Sequence, residues 1–166
     1  MVPQILTNNA EHFLEMYEET LSSLGYKEIN FNFGCPSNTV VKKFKGSGIL
    51  RDLDLLDSFL NSVFSGIHSE DFKLSLEKNN VDVNEFLSSV KFSVKTRVGY
   101  QDDDDIEEIL KIYNNYPILE LVDKHPDMLK TIWTPTWDGE YKNWEDNVFT
   151  FVGNFSIVHN NSHSIK

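Results

Sequence analysis

Residues 31–48 read FNFGCPSNTVVKKFKGSG and hold the one cysteine of the 166-residue chain, Cys35, between Gly34 and Pro36. A lone thiol can fill a core, the commonest fate of a free cysteine. It can also act as a nucleophile, but that chemistry needs a base, and no matched histidine is visible. Gly34 permits a close backbone approach and Pro36 stiffens the turn, so the polar and turn residues around Cys35 weigh against a plain core role. Lys95 and Arg97 stand two apart in VKTRVG, a spacing that puts both on one face of a strand. The run Asp102 to Asp105 could suggest a metal site. At a helix N-terminus it is better explained by the macrodipole and solvation, so no metal is expected. His159 and His163 have a metal-like spacing, but in a polar tail with no third ligand they read as solvated.

The elements that must position these residues follow from periodicity. Residues 2–6 form a short apolar strand. Phe13, Met16, Tyr17, Thr20, Leu21 and Leu24 then recur at helical spacing, with Thr7, Asn8 or Asn9 as cap and Gly25 as the close. In the next strand, 29–33, Asn30 and Asn32 share one face and the apolar residues the other. A helix follows in RDLDLLDSFLNSVFSG, with Leu53, Leu56, Phe59, Leu60, Val63 and Phe64 inward and Gly66 at its end. Residues 67–90 look like a charged insertion with one short helix near 82–89. A strand at 91–98, a helix near 102–115 and a strand at 118–122 complete a repeated strand-then-helix order, the signature of parallel α/β architecture. In such sheets the working residues sit at the carboxyl ends of strands, where Asn32, Gly34 and Cys35 fall. Beyond Lys124 the character changes: all three tryptophans lie there and no helical period is clear, with short strands expected at 149–153 and 155–159.

The chain is 40% hydrophobic and 13% aromatic, enough to bury a core. One cysteine permits no internal disulfide, and the first residues lack the basic and apolar regions of a signal peptide. No stretch approaches the roughly 20 apolar residues of a membrane span, so a cytoplasmic protein with no membrane partner is expected. A net charge of −11 repels polyanions at long range. Between Lys27 and Arg51, however, five basic residues face the single acid Glu28, a local excess of four positive charges beside the cysteine.

The ordered motifs resemble the tRNA-dihydrouridine synthase family. Its N-x-G-C-P-S hallmark stands here as Asn32-Phe33-Gly34-Cys35-Pro36-Ser37. Val40-Val41-Lys42-Lys43 and Gly46-Ser47-Gly48-Ile49-Leu50-Arg51-Asp52 follow it, then Val94-Lys95-Thr96-Arg97-Val98-Gly99, with Pro3-Gln4-Ile5-Leu6 ahead. The resemblance implies a tRNA uridine reductase that uses FMN, with NADPH as reductant. It makes Cys35 the general acid, and Gln4 and Lys95 flavin contacts. His125 is matched to a histidine near the flavin phosphate, with Asp127 where the family has arginine. Asn32 and Arg97 become contacts to substrate, and Lys42 and Lys43 part of a basic patch along which the tRNA backbone passes.

The chemistry is coherent. Saturating the C5=C6 bond of uracil needs hydride at C6 and a proton at C5, so the acid must keep its proton until attack. A thiol with pKa near ~8.5 is mostly protonated at neutral pH, yet gives its proton up readily. Lysine can stabilise charge developing on a flavin, and amides can read its donor and acceptor edges.

The resemblance covers residues 2–126. It implies an eight-stranded barrel of about 250 residues, and this sequence has no counterpart for the family's first strand or its phosphate-seating loops. The expectation is therefore a truncated TIM-type β/α barrel with parallel strands at 1–126 and a divergent segment at 127–166. Activity should be impaired; the alternative is a non-catalytic flavin- or partner-binding remnant. An open half-barrel would expose two edges and an apolar inner layer, and self-association would follow.

Overall fold

In the computed structural model, which describes residues 2–20, 24–97, 100, 106–123, 141–144 and 148–152, short strands alternate with capped helices. Strand β1 (Gln4–Ile5) leads to helix α1 (Ala10–Glu18), where the Asn9 side chain caps by accepting from the His12 N–H at 2.9 Å. Strand β2 (Glu28–Asn32) is followed by the one-turn helix α2 (Asn38–Val41) and a 3-10 segment, Gly46–Arg51. Asp52 caps α3 (Leu53–Ile67), Ser69 caps α4 (Glu70–Lys78) and Asp82 caps α5 (Val83–Ser89), each accepting from a backbone N–H three residues on. Such caps are worth about 1 kcal/mol each. Strand β3 (Lys91–Thr96), α6 (Ile106–Asn114), β4 (Ile118–Asp123), β5 (Tyr141–Trp144) and β6 (Val148–Val152) complete the order.

The strands form one sheet in the order β1-β2-β3-β4-β6-β5. The first four are parallel and in chain order, with Gln4 opposite Asn30, Asn30 opposite Ser93 and Asn32 opposite Lys95. Beyond β4, in the segment expected to diverge, the pairing changes: β6 pairs antiparallel with β4 and β5 antiparallel with β6. A three-residue connection between β5 and β6 permits only a hairpin, since a parallel return needs a crossover. The junction expected at 126 lies outside the described residues, as do the strand expected at 155–159, the Asp102–Asp105 run, His159 and His163.

One face of the sheet carries the core. Phe31 of β2 and Phe33 just beyond it alternate with Asn30 and Asn32, so the rings share a face. There Phe13 of α1 stacks on Phe31 at 4.6 Å, Tyr113 of α6 on Phe33 at 6.2 Å, and Phe64 of α3 meets Phe92 at 5.0 Å. Fully burying an aromatic of this kind contributes about 1.5–3 kcal/mol. Among the described residues, helices packed on one face of parallel strands in chain order are consistent with part of a β/α barrel, whereas a doubly wound sheet is covered on both faces. The opposite face bears Gln4, Asn30, Asn32, Ser93 and Lys95. This corrects the expectation of an apolar inner layer: these rungs present amides, a hydroxyl and an ammonium.

Three local readings are also revised. The charged stretch 67–90 holds a second helix, α4, and Phe72, Leu76 and Phe86 are buried in the common core, the two rings against Tyr17 at 5.7 and 5.5 Å. Gly66 does not end α3, which runs to Ile67; a Cβ there would come within 2.5 Å of Leu14 Cδ1, so the glycine lets α1 and α3 approach. Met16 and Leu24, which share the helical spacing of the buried Phe13 and Tyr17, are 45% and 67% exposed. Tyr116 ties the end of α6 to α3 by donating to Asp57 Oδ1 at 2.7 Å, and its pKa rises to about 12 through burial first and the Asp57 carboxylate second.

Candidate active site

The carboxyl ends of β1, β2 and β3 converge on one rim. Asn32 is the last residue of β2 and lies opposite Lys95, while Gln4 lies opposite Asn30 one inward-facing rung below. Side chains two apart on a strand share a face, so Gln4, Asn32 and Lys95 stand together on the polar one. The chain leaving β2 stays beside β3, because Phe33 N–H donates to the Lys95 carbonyl at 2.8 Å. A Cβ on Gly34 would meet the Thr96 carbonyl at 3.2 Å and Lys95 Cγ at 3.6 Å, so glycine suits this approach.

The turn that carries Cys35 is held from both sides. Asn32 Oδ1 accepts from the backbone N–H groups of Gly34 and Cys35 at 3.2 and 3.1 Å. Behind the turn, the Cys35 carbonyl accepts from Ser47 N–H at 2.9 Å and from Ser47 Oγ at 3.0 Å. Gly46, at φ +55°, lies so near that a Cβ would fall 2.7 Å from the Cys35 carbonyl oxygen and 2.8 Å from its Cβ; a Cβ on Gly48 would fall 2.6 Å from the Val41 carbonyl oxygen. The G-S-G segment thus acts as a buried buttress for the cysteine turn, and Cys35 itself is only partly buried.

The amides on the polar face are linked to each other. Asn32 Nδ2 donates to Gln4 Oε1 at 2.8 Å, Gln4 Nε2 to Asn30 Oδ1 at 2.6 Å, Asn30 Nδ2 to Ser93 Oγ at 2.9 Å, and Ser93 Oγ to Glu28 Oε1 at 2.9 Å. Sequence reasoning found Gln4 and Asn32 but missed Asn30, Ser93 and Glu28. The period-2 placement of Asn30 with Asn32 was the available signal.

Lys42 and Lys43 are exposed at the end of α2, in the turn that folds back onto Cys35. Asn8 pins that turn by donating to the Lys43 carbonyl at 3.1 Å. The Arg51 guanidinium lies 4.9 Å from the Phe44 ring centroid and 5.2 Å from that of Tyr100. Lys27 does not join this patch. It precedes the first residue of β2 and its Nζ donates to Ser89 Oγ at 3.3 Å, so the length of a five-residue strand separates it from the cysteine rim. At about 3.3 Å per residue that is roughly 17 Å. Arg97 follows the last residue of β3, partly buried and at the same rim as Cys35. His125 lies outside the described residues.

The donor set suits a flavin. Gln4 keeps one N–H and one acceptor lone pair beyond the bonds above, Asn32 keeps one N–H, and Lys95 supplies positive charge at the same rim, which matches the mixed edge and the charge of a reduced isoalloxazine. No helix among the described residues is long and apolar enough to cross a membrane.

A family model described as Dihydrouridine synthase (Dus) matches residues 1–117. A probable tRNA-dihydrouridine synthase of Staphylococcus aureus (strain N315) is 30% identical over 111 residues, which is 67% of this chain and 27% of that protein. Its counterpart in Staphylococcus epidermidis (strain ATCC 12228 / FDA PCI 1200) is 31% identical over 111 residues, again 67% of this chain and 27% of the relative. The chain thus spans about a quarter of the length of the curated relatives it matches. The matched region holds the rim just described from Gln4 to Arg97, and the chain belongs to the dihydrouridine synthase family.

Proposed function

We propose that this chain provides the cysteine rim of a tRNA-dihydrouridine synthase, with FMN on the polar face and a uridine beside Cys35. The observation that carries this reading is the junction at Asn32: one amide holds the Cys35 turn through its oxygen and Gln4 through its nitrogen, with Lys95 on the adjacent strand. Gln4 and Lys95 would hold the flavin, and His125 would serve its phosphate. The chemistry the flavin supplies, once reduced by NADPH, is two-electron reduction of the C5=C6 bond of uracil.

The chain's own residues have separable tasks in this reading. Cys35 holds a proton on Sγ and delivers it to C5 of the base. The bonds from Asn32 and Ser47 keep its turn from drifting, which matters because misplacement of a catalytic group by about 1 Å can cost on the order of a hundredfold in rate. Lys95 offsets negative charge on the bound flavin, and Arg97, at the same rim, meets the nucleotide. Lys42 and Lys43 neutralise backbone phosphates of tRNA, a contact that orients the strand without reading its sequence.

The test is a flavin titration of the purified chain, followed by assay of dihydrouridine in tRNA with NADPH. Cys35→Ala should leave flavin binding unchanged and abolish product. Product at the wild-type rate from Cys35→Ala removes the thiol from the mechanism. Flavin binding with no product from either protein favours a non-catalytic remnant.

A further inference from the structure

We infer that Glu28, Ser93 and Asn30 are positioning residues: they fix the orientation of the Asn32 amide in which the Cys35 turn is held and Asn32 meets a ligand only as a donor. The links form one directed chain. The Gly34 and Cys35 N–H groups donate to Asn32, Asn32 to Gln4, Gln4 to Asn30, Asn30 to Ser93, and Ser93 to Glu28, with no step above 3.2 Å. It crosses three strands through cross-strand neighbours, Gln4 opposite Asn30 and Asn30 opposite Ser93. Its middle is buried, with Asn30 6% and Ser93 2% exposed.

The direction is imposed from both ends. Backbone N–H groups can only donate, so the Asn32 oxygen must face them. An ionised carboxylate can only accept, so the single hydroxyl proton of Ser93 goes to Glu28 and its oxygen is left to receive Asn30. Each amide between these anchors then has one allowed orientation. Rotating Asn30 would set N–H against N–H and oxygen against oxygen in a buried place, where an unmade hydrogen bond is costly, and Gln4 and Asn32, nearer the solvent, are held in step by their links to it.

A consequence for recognition follows from valence. Asn32 Oδ1 already accepts two hydrogen bonds and Nδ2 gives one, so the amide has a single N–H left. It therefore suits a carbonyl oxygen or an imine-type nitrogen and disfavours an N–H or hydroxyl proton at that spot. This last step rests on the flavin and uridine reading; the relay does not.

The experiment is amide hydrogen exchange by NMR on the full 166-residue chain, without flavin or RNA. Ser93→Ala breaks the relay, Ser93→Thr keeps the hydroxyl, and Glu28→Gln replaces the accept-only anchor with a group that can also donate. Exchange at Gly34 and Cys35 should accelerate about tenfold in Ser93→Ala and about threefold in Glu28→Gln, and stay at the wild-type rate in Ser93→Thr. Phe59 and Leu60 in α3 should be unaffected in all three. Unchanged exchange at Gly34 and Cys35 in the two disruptive variants overturns the inference, as does an equal acceleration in α3, which would mark general loosening. If Ser93→Ala does not fold, Glu28→Gln alone decides. FMN titration of the same samples separates the two ideas: failure of wild type to bind FMN counts against the flavin reading and leaves the exchange result standing.

Discussion

Asn32 Oδ1 accepts the backbone N–H of Cys35 at 3.1 Å, three residues down the chain, and that of Gly34 at 3.2 Å. An asparagine at a strand end that bonds its own backbone in this way makes a turn with no helix or ladder bond. The cysteine therefore leaves β2 in a defined direction, although the chain there belongs to no regular element.

Removing that oxygen should be felt in stability. Asn32→Ala leaves two backbone donors of a partly buried turn without their acceptor, at a cost of about 1–3 kcal/mol. Asn32→Asp keeps an acceptor for both N–H groups but sets a carboxylate oxygen against Gln4 Oε1; that contact is at the exposed rim, where water relieves the clash, so the cost should still be the smaller of the two. Urea denaturation of the two variants measures the difference; equal destabilisation would show that the turn does not depend on the oxygen.

Two glycines with left-handed backbones should respond very differently to alanine. Gly25 has φ +69° and nothing within 4 Å of a would-be Cβ, so Gly25→Ala costs only the conformational term, about 1–2 kcal/mol. Gly46 has φ +55° and a Cβ there would press on the Cys35 carbonyl oxygen at 2.7 Å and on Val40 Cγ1 at 2.9 Å. Overpacking of that kind adds about 1–3 kcal/mol. Gly46→Ala should therefore be the less stable protein by chemical denaturation, and it should also displace the Cys35 turn, seen as a changed alkylation rate of the chain's one thiol.

The parts of the site that could be read from sequence are those made by neighbours in sequence. Asn32, Gly34 and Cys35 interact across two and three residues, so their types alone reveal the turn. Ser93 and Glu28 do not, because their links join residues 63 and 65 apart and depend on a register no local pattern states. Helix α4 was illegible for a different reason: in EDFKLSLEK only Phe72 and Leu76 are buried, too few for a period to stand out from the charges. Met16 fits the helical stripe of α1 and is still 45% exposed, because periodicity gives a residue's angle around a helix and not the width of the surface it meets. The antiparallel hairpin β5-β6 was hidden because strand direction depends on which edge a segment joins.

Alkaline pH should weaken the fold through Tyr116. Its folded-state pKa of about 12 lies above the unfolded value of about 10, so the folded protein retains a proton that the unfolded chain releases. The associated stability is complete below about pH 10 and is lost as pH rises toward about 12. Burial moves Tyr17 in the same direction. Tyr116→Phe should flatten part of this decline and lower stability at neutral pH by the lost bond to Asp57, about 1 kcal/mol. Denaturation midpoints of both proteins across the alkaline range provide the measurement; parallel declines would assign the loss to other groups.

Charge reversal separates the basic patch from basic composition. Lys42 and Lys43 occupy the turn folded onto the Cys35 rim, whereas Lys27 precedes β2 and contacts Ser89 at the opposite end of the sheet. If RNA lies along the cysteine rim, Lys42→Glu combined with Lys43→Glu should weaken tRNA binding about tenfold or more at low salt and reduce the slope of log affinity against log salt by about 0.7–0.9 for each phosphate no longer neutralised. Lys27→Glu changes the net charge by half as much, so any long-range repulsion it adds should leave the salt slope nearly as it was. Equal losses from reversal at Lys27 and at either rim lysine would mean that the −11 chain meets RNA through its overall field and not through this turn. Filter binding of unmodified tRNA at several salt concentrations, with Lys27→Glu, the single reversals at Lys42 and Lys43 and their combination side by side, distinguishes these outcomes.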